Sequence, residues 1–84
     1  MKLTTEELIV ELQSIIGGEI PDEVMGEIAF NEQYDTVYKN GGYYDGYSIF
    51  VPKLKNNPVI GYPYVILAKK GSARLSSEEE SLKF

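Results

Sequence analysis

Thr36-Val37-Tyr38-Lys39-Asn40-Gly41-Gly42-Tyr43-Tyr44-Asp45-Gly46-Tyr47-Ser48-Ile49-Phe50-Val51-Pro52 is the stretch whose reading decides the fold. β-branched and aromatic residues dominate it and turn formers interrupt it, which is the composition of an antiparallel strand meander. Tyr47, Ile49 and Val51 alternate with Ser48 and Phe50, so a strand is expected from Tyr47 to Val51, stopped by Pro52. A further strand is expected from Tyr34 to Lys39. Asn40-Gly41 and Asp45-Gly46 are both hairpin-type dipeptides, yet they lie too close together for a normal strand between them. One of the two must belong to a longer or bulged connection.

C-terminal to this stretch, Leu54 to Pro63 carries Asn56-Asn57-Pro58 and Gly61-Tyr62-Pro63 and reads as a loop. Tyr64 to Ala68 is an apolar run of strand length, suited to a strand covered on both faces. Lys69-Lys70-Gly71-Ser72 turns it into a short strand at Ala73 to Leu75. Ser76 or Ser77 then caps a last helical turn, with Glu79 or Glu80 at its third position and Leu82 and Phe84 available to dock it.

On the N-terminal side the pattern is helical. Thr4 and Glu7 have capping-box spacing, Leu3 and Leu8 stand where a hydrophobic staple places them, and the helix begins at about Thr5. Leu8, Leu12, Ile15 and Ile16 share one face, Ile9 widens it, and Gly17-Gly18 supplies the stop. Pro21 with Asp22 and Glu23 opens a second helix whose stripe is Val24, Met25 and Ile28. Gly26 weakens its interior by ~1 kcal/mol relative to alanine, Phe30 falls off the stripe, and its end lies between Ala29 and Tyr34. The expected architecture is a single α+β domain over 1–84: two N-terminal helices packed on a three- to four-stranded antiparallel sheet, with a short C-terminal helical turn.

Composition narrows the chemistry. The 84 residues contain no cysteine and no histidine, which removes disulfides, thiolate zinc sites, thiol nucleophiles and histidine-based triads. Glu6-Glu7 and Asp22-Glu23 stand in first helical turns, where the helix dipole accounts for them. The glycine-rich run from Asn40 to Gly46 lacks the ligand alternation of a calcium loop and the pattern of a phosphate or dinucleotide fingerprint. No catalytic residue, cofactor or metal is expected. Carboxylates at Glu6 and Glu7 stand where a signal peptide needs an apolar run, and no segment approaches the ~20 apolar residues of a membrane helix, so a cytoplasmic location is the expectation.

Net charge is −5, and it is unevenly distributed. Nine carboxylates face Lys2 alone between Met1 and Asp35, whereas Thr36 to Arg74 holds six cations and only Asp45 among acids. All seven tyrosines fall in the β half, within or beside the basic stretch. Tyrosine gives a large amphipathic contact at low entropy cost, so Tyr38, Tyr43, Tyr44, Tyr47 and Tyr62 are the candidate binding residues. The competing reading is that these rings pack at the core edge with wet hydroxyls while basic strands pair with acidic helices. The acidic total favours another protein as partner over nucleic acid, which is the alternative. An enzyme using Asp, Glu, Lys or Tyr is the third reading.

Gly61-Tyr62-Pro63-Tyr64-Val65-Ile66-Leu67 followed by Ala73-Arg74-Leu75-Ser76-Ser77-Glu78-Glu79-Glu80-Ser81 resembles small uncharacterised proteins carried on mobile elements of Gram-positive gut bacteria. The resemblance implies no known activity and carries over no functional residue. With it, the sequence points to a noncatalytic protein-interaction or regulatory module, an accessory protein of a mobile element.

Overall fold

Thr4 fixes where the first long element begins. Its hydroxyl accepts the Glu7 N–H at 3.2 Å while the Glu7 carboxylate accepts the Thr4 N–H at 3.0 Å, so the expected capping box is formed in full. The computed structural model describes residues 2–53 and 64–82. Their order is β1 (Lys2–Leu3), α1 (Thr5–Ile16), α2 (Asp22–Glu32), β2 (Val37–Tyr44), β3 (Tyr47–Lys53), β4 (Ile66–Lys69), β5 (Ser72–Leu75) and α3 (Glu78–Ser81). The expected loop from Leu54 to Pro63, with Lys55 and Tyr62, and the docking role of Phe84 lie outside the described residues.

The sheet is antiparallel throughout, in the order β1-β2-β3-β4-β5. The class is therefore α+β as expected, with five strands in place of three to four. The additional strand is β1, two residues that pair with Lys39 and Tyr38 at the edge and are too short to leave an alternation. β2 begins later and runs further than the expected Tyr34 to Lys39, because the chain from Gln33 to Asp35 still completes the end of α2.

The competition between the two glycine turns is resolved by backbone geometry. Asp45 and Gly46 have φ of 50° and 83°, the pair of left-handed conformations that a two-residue type I′ connection needs between Tyr44 and Tyr47. Asn40-Gly41-Gly42 instead forms an irregularity inside β2, where the register with β3 shifts between Asn40 and Tyr43. The Gly42 N–H donates to Asn40 Oδ1 at 2.8 Å there, and a side chain at Gly41 would press on Val51 Cγ2 at 3.2 Å. Pro52 does not stop β3, which continues to Lys53. It lies past Phe50–Ile66, the last pair in the described β3–β4 ladder, where the strand needs fewer N–H donors.

Directly opposed residues of an antiparallel sheet share a face, so the register sorts every strand position. Tyr38, Phe50, Ile66, Ala68, Ala73 and Leu75 face α1 and α2 and meet Leu8, Leu12, Ile16, Val24 and Ile28 in the main core. Ile15 is half-buried at the edge of that stripe. Ile49, Val65 and Leu67 face the opposite way and form a second apolar cluster with Tyr44, Tyr47 and Val51. Tyr64 to Ala68 is thus covered on both sides along most of its length, as its unbroken hydrophobicity requires. The β4–β5 turn is tied to α1 through the Gly71 N–H, which donates to the Ile16 carbonyl at 2.9 Å.

Ser77 caps α3, with Glu80 completing a second capping box. Leu82 does not dock this turn; it is exposed. Polar contacts hold α3 instead: Ser76 and Ser81 share a buried hydroxyl contact at 2.6 Å, and Ser76 Oγ also accepts the Val65 N–H.

Candidate functional site

The face of the sheet turned away from α1 and α2 collects the basic residues. Lys39 pairs with Val51, Lys53 with Val37, Lys69 with Ser72 and Arg74 with Leu67, and all of these positions share the parity of Ile49 and Tyr47. Lys2, opposite Lys39, joins the same row. Lys39, Lys53 and Lys69 are exposed, and no ion pair engages Lys39 or Lys53 among the described residues.

Tyr47 organises one corner of this face. Lys69 Nζ lies 4.7 Å from its ring centroid and Arg74 Cζ 5.0 Å, so two cations are held against one aromatic ring. Arg74 also grips Glu80 with both prongs of its guanidinium, Nη1 to Oε1 at 2.8 Å and Nη2 to Oε2 at 3.0 Å. Those bonds, joined by the Ser77 N–H and by Tyr44, hold the Glu80 carboxyl well below the usual carboxylate range. Hydrogen bonding to Arg74 likewise lowers the Tyr47 phenol.

The candidate tyrosines divide three ways. Tyr38 is fully buried in the main core, where its hydroxyl accepts from Asn31 Nδ2 at 2.9 Å, so it belongs to packing and not to a contact surface. Tyr44 and Tyr47 lie together on the basic face, each half-buried against the second cluster. Tyr43 takes the opposite parity and is 85% exposed beside the hairpin turn. Tyr62 lies outside the described residues. The structure therefore brings together Tyr44, Tyr47, Lys69 and Arg74, and separates Tyr38 and Tyr43 from them.

Glu80 is the member of this group that sequence reasoning assigned only to a cap; its partner stands six positions away across a turn, with no local signal linking them. Phe30 on α2 and Tyr34 just past its end form an exposed tilted pair, centroids 5.4 Å apart, foreshadowed by Phe30 falling off the apolar stripe. A cleft of 390 Å³ between the start of α1 and the α2–β2 connection is lined by Glu6, Glu32 and Asp35 with Thr4 and Thr36. Among the described residues no cluster of acids is arranged to hold a metal ion, and no helix is long and apolar enough to cross a membrane.

Comparison with known proteins finds no matching family model, no matching curated protein and no matching solved structure. Function is therefore read from the residues of the site and their chemistry.

Proposed function

We propose that this chain is a noncatalytic protein-interaction module whose contact surface is the sheet face opposite α1 and α2. The observation that carries this reading is the shared parity of Lys39, Lys53, Lys69 and Arg74 around Tyr44 and Tyr47. Arginine and tyrosine are the residue types enriched where proteins bind one another, and cations steer an acidic partner toward the face. The setting we assign is the cytoplasm, as an accessory factor of the mobile-element proteins that residues 61–67 and 73–81 resemble.

Affinity capture with charge-reversed variants tests the surface. Lys39→Glu with Lys53→Glu is expected to lose a protein that the unmodified chain captures, while Glu19→Lys with Glu23→Lys on the helical layer keeps it. Equal capture by all three forms would remove the sheet face from the proposal.

Single-stranded nucleic acid is the second reading, favoured by the exposed lysines on one face. The net charge of −5 and the engagement of the Tyr47 ring by two cations support it less, since base stacking needs an open ring and phosphate binding a basic domain. Titration with oligothymidylate at two salt concentrations separates the readings through the slope of affinity against salt.

A further inference from the structure

We propose that Arg74, Lys69 and Tyr47 form a receptor for the side-chain carboxylates of an acidic peptide, and that Glu80 occupies this receptor as the chain's own stand-in. The inference rests on the interaction face proposed above and names the chemistry of its partner.

The bound state is already on display within the molecule. A guanidinium presents its donors in a planar fork that fits a carboxylate with two parallel bonds, and Arg74 makes both to Glu80, at 2.8 and 3.0 Å. The ring of Tyr47 holds Arg74 and Lys69 at 5.0 and 4.7 Å. Two long side chains are thereby fixed before any ligand arrives, which lowers the entropy lost on binding. The Arg74 side chain is 38% exposed even with Glu80 in place, so an incoming group has access. Lys53 and Lys39 extend the positive potential along the same face.

The stand-in belongs to a short element. α3 has four residues, too few to persist by helix propensity alone. Beyond the Arg74 pair, Glu80 is held by its capping box and by Tyr44, and α3 by the contacts of Ser81 with Ser76 and with the Ser77 carbonyl, while Leu82 stays largely exposed. A carboxylate from a partner competes with Glu80 for one fork, and the face takes up partner only in the fraction of time that Glu80 is away. The chemistry selects acidic peptides: a carboxylate is the group the fork is seen to hold, and the other charged residues of the described strands on this face are all cationic.

Fluorescence anisotropy of a dye-labelled oligoglutamate peptide at low salt tests the inference. Glu80→Gln removes the competing charge and retains a side chain able to complete the capping box. Its affinity for oligoglutamate is expected to rise on the order of tenfold over the unmodified chain. Arg74→Lys in the Glu80→Gln background keeps the positive charge and the fold but loses the fork, and is expected to forfeit most of that gain. An unchanged affinity on Glu80→Gln, or a gain that survives Arg74→Lys, overturns the proposal. Tighter binding of oligothymidylate than of oligoglutamate by the Glu80→Gln chain also overturns it and assigns the face to nucleic acid. If oligoglutamate fails while Lys39→Glu with Lys53→Glu still abolishes protein capture, the carboxylate receptor falls and the interaction face stands.

Discussion

Tyr38 and Asn31 form a buried pair whose removal, one side at a time and then together, gives results that contacts of other kinds would not. The Tyr38 hydroxyl accepts from Asn31 Nδ2 at 2.9 Å, and neither residue is appreciably exposed. Tyr38→Phe deletes one such bond and leaves Asn31 Nδ2 with its weaker contact to Glu27 Oε2 at 3.3 Å, so a loss of about 1 kcal/mol is expected. Asn31→Leu strands a buried phenol, at a cost of roughly 1 to 3 kcal/mol. It spares the Asn31 carbonyl, which accepts from Thr36 Oγ1 at 2.6 Å through the backbone. With both groups gone nothing polar is left unpaired, and the double variant should be no worse than the poorer single one. The coupling is then about 1 kcal/mol, within the range for residues in direct contact. In urea, at a slope of about 1 kcal/mol per molar, this is a midpoint difference of about 1 M. Losses that simply add would show that the bond contributes nothing to folding.

The same phenol gives a signed pH effect. Burial is the main cause that raises the Tyr38 phenol above its ordinary value; Asn31 opposes the rise and the Glu27 charge adds to it. A group raised in the folded state contributes stability that is whole below its unfolded value of ~10 and is lost as pH climbs through the folded one. Unmodified protein should therefore lose stability relative to Tyr38→Phe above pH ~10. Tyr47, lowered by Arg74, pulls the other way and cancels in that comparison.

Two further substitutions probe the core and the acid limb. Leu12→Ala removes a fully buried side chain from the contact between α1 and the sheet and should cost about 2 to 5 kcal/mol; an unchanged urea midpoint would take this stripe out of the core. Glu80 is depressed by its Arg74 bonds, so its contribution is present above the unfolded value of ~4.3 and fades as pH falls further. The difference in thermal midpoint between unmodified protein and Glu80→Gln should accordingly shrink between neutral pH and pH ~3. A difference that is constant over this span would argue against the ion pair.

Legibility followed the range of the interactions. The α1 cap was readable because Thr4 and Glu7 meet three residues apart, and the hairpin dipeptides because their conformational demands are local. Which dipeptide closes the hairpin was not readable, since Asn-Gly and Asp-Gly are equivalent as turns. Pairing decides it: Lys39 with Val51 and Tyr44 with Tyr47 leave Asn40-Gly41-Gly42 inside the strand. Tyr38 illustrates the limit for side chains. A tyrosine suits either face of a sheet, and its place in the core depends on β2 register and on a donor from α2, seven positions back. Arg74 and Glu80 meet by the turn at Ser76 and Ser77, which no periodicity encodes.

Charge segregation along the chain becomes segregation in space for a physical reason. The first 35 residues supply the helical layer, whose outward positions take the carboxylates; the strands then spend one parity on the core against that layer. The charged residues of β2 to β5 all take the other parity. Solubility would be served there by charges of either sign, and mixed signs avoid self-repulsion. The charged residues of the described strands are all cations, and Lys2 stands directly opposite Lys39. Glu80 brings an anion to this side from outside the sheet and seats it on Arg74. Under the proposed function, attraction to an anionic partner gives this single-sign row of strand charges a use.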